Sequence, residues 1–218
     1  MNNLIIGAYN RILSFIEGPR KTKAKYELKY WKSRKAIEGS LSNTHFEHFF
    51  ITHFALDQAF LNGKKILDIG CGPRGSLEWA DMASQRIGLD PLANSYREIG
   101  TGAHRMQYVT ARAQRIPFPD GYFDVVSCFN SLDHVDDLEQ SISEIIRVIA
   151  PGGLFLLLTD VHRDPAYTEP AVFSWNVVEE FVPSLGLVEE KHYEKSADGM
   201  YQSIEANIPY DHSQRSPR

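Results

Sequence analysis

The chain predicts an α/β fold built on a doubly wound parallel sheet, and three observations carry that expectation. The apolar run Lys65-Ile66-Leu67-Asp68-Ile69 passes straight into the turn Gly70-Cys71-Gly72-Pro73-Arg74-Gly75. Glycines there let the backbone turn sharply and leave room for a ligand against it. A second apolar stretch, Arg86 to Leu89, ends in the carboxylate of Asp90. Strand-like and helix-like stretches then alternate, which is how a parallel sheet comes to be covered on both faces.

In chain order, Met1 to Ile16 reads as an amphipathic helix with Ile5, Ala8, Ile12 and Ile16 on one face. Packing on its own domain or on a dimer partner is the ordinary fate of such a helix, and a membrane surface the alternative. Lys21 to Lys35 favours helix, with Ala24, Leu28 and Trp31 on one side and lysines on the other, and Gly39 ends it. A second helical stretch, Asn43 to Leu61, is crowded with His45, Phe46, Phe49, Phe50 and Phe54 and closes at Asn62-Gly63. Strand one is Lys65 to Ile69, followed by a helix from about Ser76 to Ala83. Strand two is Arg86 to Leu89, with a helix from near Pro91, and strand three is Met106 to Thr110.

Strand four, Phe123 to Phe129, is a largely apolar run suited to the sheet centre. Asp136 with Glu139 predicts a capping box for a helix whose buried stripe is Leu138, Ile142, Ile145 and Ile149. Pro151-Gly152-Gly153 breaks the chain before strand five, Leu154 to Leu158. A loop rich in Pro and Asp leads to a helix near Val177 to Leu185, strand six from about Leu187, and strand seven near Tyr201 to Asn207. The organisation expected is a helical arm over 1–62, an α/β body over 63–210 and a flexible polar tail over 211–218.

At 218 residues there is room for one substantial α/β domain and a small addition. A hydrophobic content of 43% suits a soluble protein, and no run is apolar and long enough to span a bilayer. No stretch reads as a cleavable signal, so the expected compartment is cytoplasmic. Cys71 and Cys128 fall in or beside core strands and read as small buried hydrophobes, as a reducing compartment allows. The net charge of -5 hides an asymmetry: up to Ser40 there are nine Lys or Arg against three Glu. Such a basic arm on an acidic body can meet phosphate, carboxylate or anionic lipid, or can simply be a solvated helix face. An acidic body without a nucleic-acid-binding module disfavours nucleic acid as partner.

Four ordered blocks carry a family resemblance. They are Leu67-Asp68-Ile69-Gly70-Cys71-Gly72, then Gly88-Leu89-Asp90, then Ile116 to Val126 with its Pro117-Phe118 pair, and last Glu144 to Gly153. Over roughly Lys64 to Glu194 the chain resembles the class I S-adenosylmethionine-dependent methyltransferases, in their small-molecule (methyltransferase type 11-like) branch. The resemblance implies a Rossmann-like sheet of seven strands, the last antiparallel and inserted beside the fifth. It makes residues 1–62 a helical lid over an S-adenosylmethionine-binding catalytic domain.

The same resemblance implies site roles at the carboxyl ends of the strands. The backbone of Gly70, Cys71 and Gly72 would meet the methionine part of the cofactor. Asp68 would hold that loop and, directly or through water, the ammonium. Asp90, followed by Pro91, would accept from both ribose hydroxyls, and Asn130 would touch the cofactor. Upstream of Pro117-Phe118, where the family usually has an acid near the adenine amine, stands Arg112, followed by Ala113 and Gln114. A guanidinium cannot accept from an amine. The Gln114 side-chain oxygen and the Ala113 backbone are the expected substitutes, with Arg112 turned to solvent.

Methyl transfer is an in-line displacement in which alignment does most of the work. An oxygen or nitrogen acceptor also needs a proton removed. His134, after strand four, is one candidate base, or else a structural hydrogen-bonder at the start of the next helix. Asp160 and His162, after strand five, lie on one side of an extended chain, so the carboxylate would orient the imidazole. Surface-loop residues without function are the competing reading. Tyr30, Trp31, Arg34 and Phe50 would form the lid's inner face, or plain core. No histidine spacing matches a zinc arrangement, so no metal is expected.

The expected reaction is O- or N-methylation of a small molecule such as a sugar, glycan precursor, lipid-linked intermediate or secondary metabolite, with S-adenosylhomocysteine as product. The basic arm suits an acceptor bearing phosphate or carboxylate, and a monomer or homodimer is expected. Two readings compete. A methyltransferase-like scaffold that binds cofactor weakly is supported by Arg112. A nicotinamide-dependent reductase shares only the glycine turn and the acid.

Overall fold

Apolar residues on both sides of the strand stretches, punctuated by Gly and Pro, decide where each strand runs. The computed structural model describes residues 19–43, 46–162, 164–165, 169–172 and 174–213. The expected helix over Met1 to Ile16, His45 and the end of the expected tail lie outside the described residues. Among the described residues five strands are seen: β1 (Lys65–Ile69), β2 (Gln85–Leu89), β3 (Gln107–Val109), β4 (Phe123–Phe129) and β5 (Ile149–Leu158). They form one sheet in the order β3-β2-β1-β4-β5, every pair parallel.

The winding reverses between β1 and β4, and a crevice opens there at the strands' carboxyl ends. Ile69 pairs with Leu89 on one side and with Cys128 on the other. β1 and β2 end in step and β4 one residue later, so Gly70, Asp90 and Asn130 leave the sheet close together. Period-two alternation sends neighbouring residues to opposite layers. Leu67 and Val126 pack with Ile142, Ile145 and Val148 on one face. Ile66 and Val125 pack with Phe46, Phe49 and Phe50 on the other.

Among the described residues, three α-helices are longer than a single turn: α1 (Pro19–Glu38), α2 (Leu138–Val148) and α3 (Met200–Ala206). Asp137, not Asp136, caps α2, its side chain accepting from Gln140 N at 3.0 Å. Asp136 is turned instead to Arg112. Ile149, the last residue of the expected helical stripe, already belongs to β5.

Five expected elements differ. Ser76 to Ala83 forms successive turns, with Glu78 N on Gly75 O, Ala80 N on Leu77 O and Ala83 N on Ala80 O. Arg86 donates to the Glu78 carbonyl at 3.1 Å and Trp79 Nε1 to the Ser76 carbonyl at 3.0 Å. Side chains thus satisfy acceptors that a helix would use internally. Asn43 to Leu61 is broken into a turn at Phe46–His48, a π-helical segment at Phe49–His53 and a turn at Gln58–Leu61 capped by Asp57. The wider π-helical turn, closed by Phe54 N on Phe49 O, accompanies full burial of the adjacent Phe49 and Phe50.

Val177 to Leu185 begins in a 3-10 helix, Trp175–Glu180, and continues as turns. The expected seventh strand is helix α3. Met200, Ser203 and Ile204 are buried at helical spacing, and Asn207 ends the helix in a left-handed conformation. The expected sixth strand pairs only through an isolated antiparallel bridge, Tyr193 with Pro209. Among the described residues, no helix is long and apolar enough to cross a membrane.

Candidate functional site

The glycine turn after β1 makes one wall of the crevice. Gly70 and Gly72 hold φ of 72° and 55°, where side chains are strained. A Cβ on Gly70 would lie 2.3 Å from Ser131 Cβ, and one on Gly72 3.4 Å from the Trp31 ring. The turn is therefore bare backbone pressed between the β4 loop and α1. Asp90 ties it down: Oδ2 accepts from Gly72 N at 3.2 Å and Oδ1 from Leu92 N at 2.7 Å. Asp68 lies behind the turn, 1% exposed, and accepts from the Ser127 hydroxyl at 2.7 Å.

Burial sets the electrostatics here. It pushes the Asp90 carboxyl up to about 7, with the Glu27 charge adding to the rise and the Leu92 and Gly72 amides opposing it. It pushes Asp68 up to about 6, opposed by hydroxyl hydrogen bonds including that of Ser127. Both cysteines are free and buried, and burial raises their thiols, which leaves them unreactive packing groups as expected.

Helix α1 supplies the facing wall. Lys23, Glu27 and Trp31, at i, i+4 and i+8, all border the crevice. The Lys23 ammonium donates to the His134 carbonyl, and burial lowers its pKa despite nearby Asp136 and Glu27. Glu27 Oε1 accepts from the Tyr96 hydroxyl at 3.1 Å. Arg74 sits over Trp31 at 5.5 Å and pairs with Glu38 at 2.8 Å, joining α1 to the glycine turn. Of the four expected lid residues, Tyr30, Trp31 and Arg34 line the crevice. Phe50 is fully buried beneath it, against Trp79 and Phe129.

Arg112 also borders the crevice and donates to Asp136 Oδ2 at 2.9 Å rather than pointing freely to solvent. The Gln114 amide, oriented to satisfy its neighbours, accepts from Asp136 N at 3.0 Å and Asp137 N at 3.1 Å. Its oxygen therefore serves the start of α2, contrary to the role expected for it. Ala113 is buried against the crevice, and Pro91 borders it. The whole crevice measures about 1140 Å³, somewhat above the roughly 300–1,000 Å³ usual for small-molecule sites.

The loop after β4 opens on Asn130, at φ 54°, whose backbone N–H donates to Leu158 O at 2.7 Å. Asn130, Ser131 and His134 line the crevice, and burial lowers the His134 pKa. Asp160 and His162 are not paired as expected, because Asp160 accepts from Lys195 at 2.8 Å. The carboxylate facing His162 is Asp133, with Nε2 to Oδ2 at 3.7 Å. His162 Nδ1 is 3.0 Å from the Asp164 carbonyl.

Glu27, Tyr96, Asp133, Asp136 and Glu169 were not singled out from the sequence as site residues. The spacing of Lys23, Glu27 and Trp31 was the available signal for Glu27. For Glu169 there was none, because its place depends on Ala171 N donating to Asp133 O at 3.1 Å.

Comparison with known proteins agrees with this geometry. Residues 67–157 match a family described as a methyltransferase domain. Tocopherol O-methyltransferase (chloroplastic) of Arabidopsis thaliana is 34% identical over 120 residues, covering 51% of this chain and 34% of that protein. The ubiquinone/menaquinone biosynthesis C-methyltransferase UbiE of Stutzerimonas stutzeri is 34% identical over 112 residues, covering 44% and 42%. The chain thus spans less than half the length of these curated relatives. The YcgJ protein of Bacillus subtilis shares the fold, with a TM-score of 0.55 at 21% identity over 79% of this chain and 81% of that one.

Proposed function

We propose that this chain, whose residues 67–157 match a methyltransferase domain, is a class I S-adenosylmethionine-dependent methyltransferase that methylates a small molecule on oxygen or nitrogen. The observation that carries the reading is the meeting of the Gly70–Gly72 turn and Asp90 in one crevice at the point where the sheet reverses. The residues present fit the cofactor. Bare backbone at Gly70 and Gly72 admits close approach, and the buried Asp90 carboxylate retains lone pairs for two ribose hydroxyls.

When bound, S-adenosylmethionine supplies an electrophilic methyl on a positively charged sulfur. The chain's own part is alignment and proton handling. Asp90 and the glycine turn would hold the ribose and the methionine portion, while Asp68 would brace the turn from behind. Ala113 would pack on the adenine. Asp136, held by Arg112, would supply the carboxylate missing at position 112. His134 is the histidine best placed to take a proton, since it borders the crevice beside Asn130. Helix α1 would act as the lid, its Lys23 bringing a positive charge to an acceptor that carries phosphate or carboxylate. The relatives named as tocopherol and ubiquinone/menaquinone methyltransferases support a small-molecule acceptor.

Calorimetric titration with S-adenosylmethionine, S-adenosylhomocysteine and NADH tests the cofactor. Micromolar binding of the two sulfur compounds and none of NADH is expected. Failure of all three to bind would favour a scaffold role and overturn the proposal. With binding in hand, transfer of labelled methyl to a panel of sugars, phenols and amines identifies the acceptor class.

A further inference from the structure

The fold gathers three side chains from two loops at the edge of the crevice, which Glu169 lines: Asp133 after β4, and His162 and Glu169 after β5. One ligand atom from each lies within 4.8 Å of the other two. We propose that Asp133, His162 and Glu169 hold a divalent first-row cation such as Mn²⁺, Fe²⁺ or Zn²⁺.

The hydrogen bonding of the three residues points to a cation. The Asp164 carbonyl can only accept, so the 3.0 Å contact makes His162 Nδ1 the donor. In the neutral imidazole this turns the Nε2 lone pair toward Asp133 Oδ2, 3.7 Å away. That separation is too long for a hydrogen bond. It is close to the roughly 3.0–3.6 Å expected between two ligand atoms each about 2.1 Å from one metal ion. A backbone carbonyl on the other ring nitrogen is also how ligating histidines are commonly oriented.

The second observation is independent of His162. The Asp133 side chain is 2% exposed, and its Oδ1 is buried without a hydrogen-bond partner, with His134 Nε2 3.8 Å away. A carboxylate so buried calls for a compensating charge. Lys23 contributes at a distance, but its ammonium is engaged with the His134 carbonyl. One imidazole with two carboxylates suits Mn²⁺, Fe²⁺ or Zn²⁺ better than a soft cation. Glu169 lines the crevice, so the cation would be within reach of an oxygen on the acceptor. That last step rests on the methyltransferase reading; the binding of the cation does not.

The test uses the full chain and metal alone. Mn²⁺ is titrated by electron paramagnetic resonance and Co²⁺ by its visible absorption, against Asp133→Asn, Glu169→Gln and the exposed control Glu179→Gln. One cation per chain is expected, weakened at least tenfold by each of the first two changes and unaltered by the control. No binding to the unmodified protein, or equal weakening by the control, would overturn the site. S-adenosylhomocysteine affinity on the same samples reports the fold of the variants. Its absence in the unmodified protein would count against the proposed function and leave the cation result standing.

Discussion

The Tyr96 hydroxyl donates to Glu27 Oε1 at 3.1 Å, and through this bond α1 brings a second carboxylate beside the buried Asp90. A second acid beside the buried Asp90 makes its ionisation costly. Ribose hydroxyls, by contrast, are best received by the ionised form. Cofactor affinity and pH are therefore linked.

That linkage has a sign. With the free-protein carboxyl near 7, affinity for S-adenosylhomocysteine should fall about tenfold per pH unit below that value and level off above it. Glu27→Gln keeps an acceptor for Tyr96 but removes the charge, so the midpoint should move to lower pH. Calorimetry from pH 5.5 to 8 checks both; a flat profile would remove the ribose assignment of Asp90.

Asp90→Ala should lower cofactor affinity at least 100-fold at pH 8, since two charge-assisted hydrogen bonds of about 1.5–3 kcal/mol each are lost. The circular dichroism spectrum should remain that of the folded protein. Unchanged affinity in a folded variant would place the ribose elsewhere.

Asp68 titrates near 6 in the folded chain, above its ordinary 3.8. Its contribution to stability is therefore fully present below about pH 4 and lost as pH rises through 6. The shift sets an upper bound of roughly 3 kcal/mol. Asp68→Asn, which can still accept from Ser127, should match the parent's Tm at pH 4 and exceed it at pH 8. A Tm lower at pH 8 than at pH 4, relative to the parent, would contradict the burial argument.

Gly70→Ala places a methyl 2.3 Å from Ser131 Cβ at a φ of 72°. The cost should be about 2–4 kcal/mol, seen as a Tm lowered by roughly 5–15 °C. Gly39→Ala, also at positive φ but with nothing within 4 Å, should cost only about 1 kcal/mol. The difference between the two isolates the clash from the backbone strain.

Asp136→Ala should weaken cofactor binding about tenfold if its carboxylate serves the adenine end, whereas Arg112→Ala should leave affinity equal or better. The Arg112–Asp136 pair is half-exposed, so its loss alone should move stability by no more than about 1 kcal/mol. Equal effects of the two changes would mean that the pair acts only as a strut for the start of α2.

Much of the parallel sheet and the core of its crevice could be read from local chemistry. An apolar strand stopping at Asp68-Ile69-Gly70, a second stopping at Asp90 and a third running Phe123 to Phe129 are each short-range patterns, and all three became adjacent strands. Where the reading failed, longer-range contacts had outweighed the pattern. Ser76 to Ala83 lost its helix because Arg86 and Trp79 took up the carbonyls. Tyr201 to Asn207 became a helix because Met200, Ser203 and Ile204 found a core at helical spacing. Tertiary packing alone turned His162 from Asp160 to Asp133 and engaged Gln114 with the start of α2. It also brought Glu27 beside Asp90 and Glu169 beside Asp133. Such pairings join residues dozens of positions apart, and a one-dimensional pattern contains no distance between them; only the folded chain supplies it.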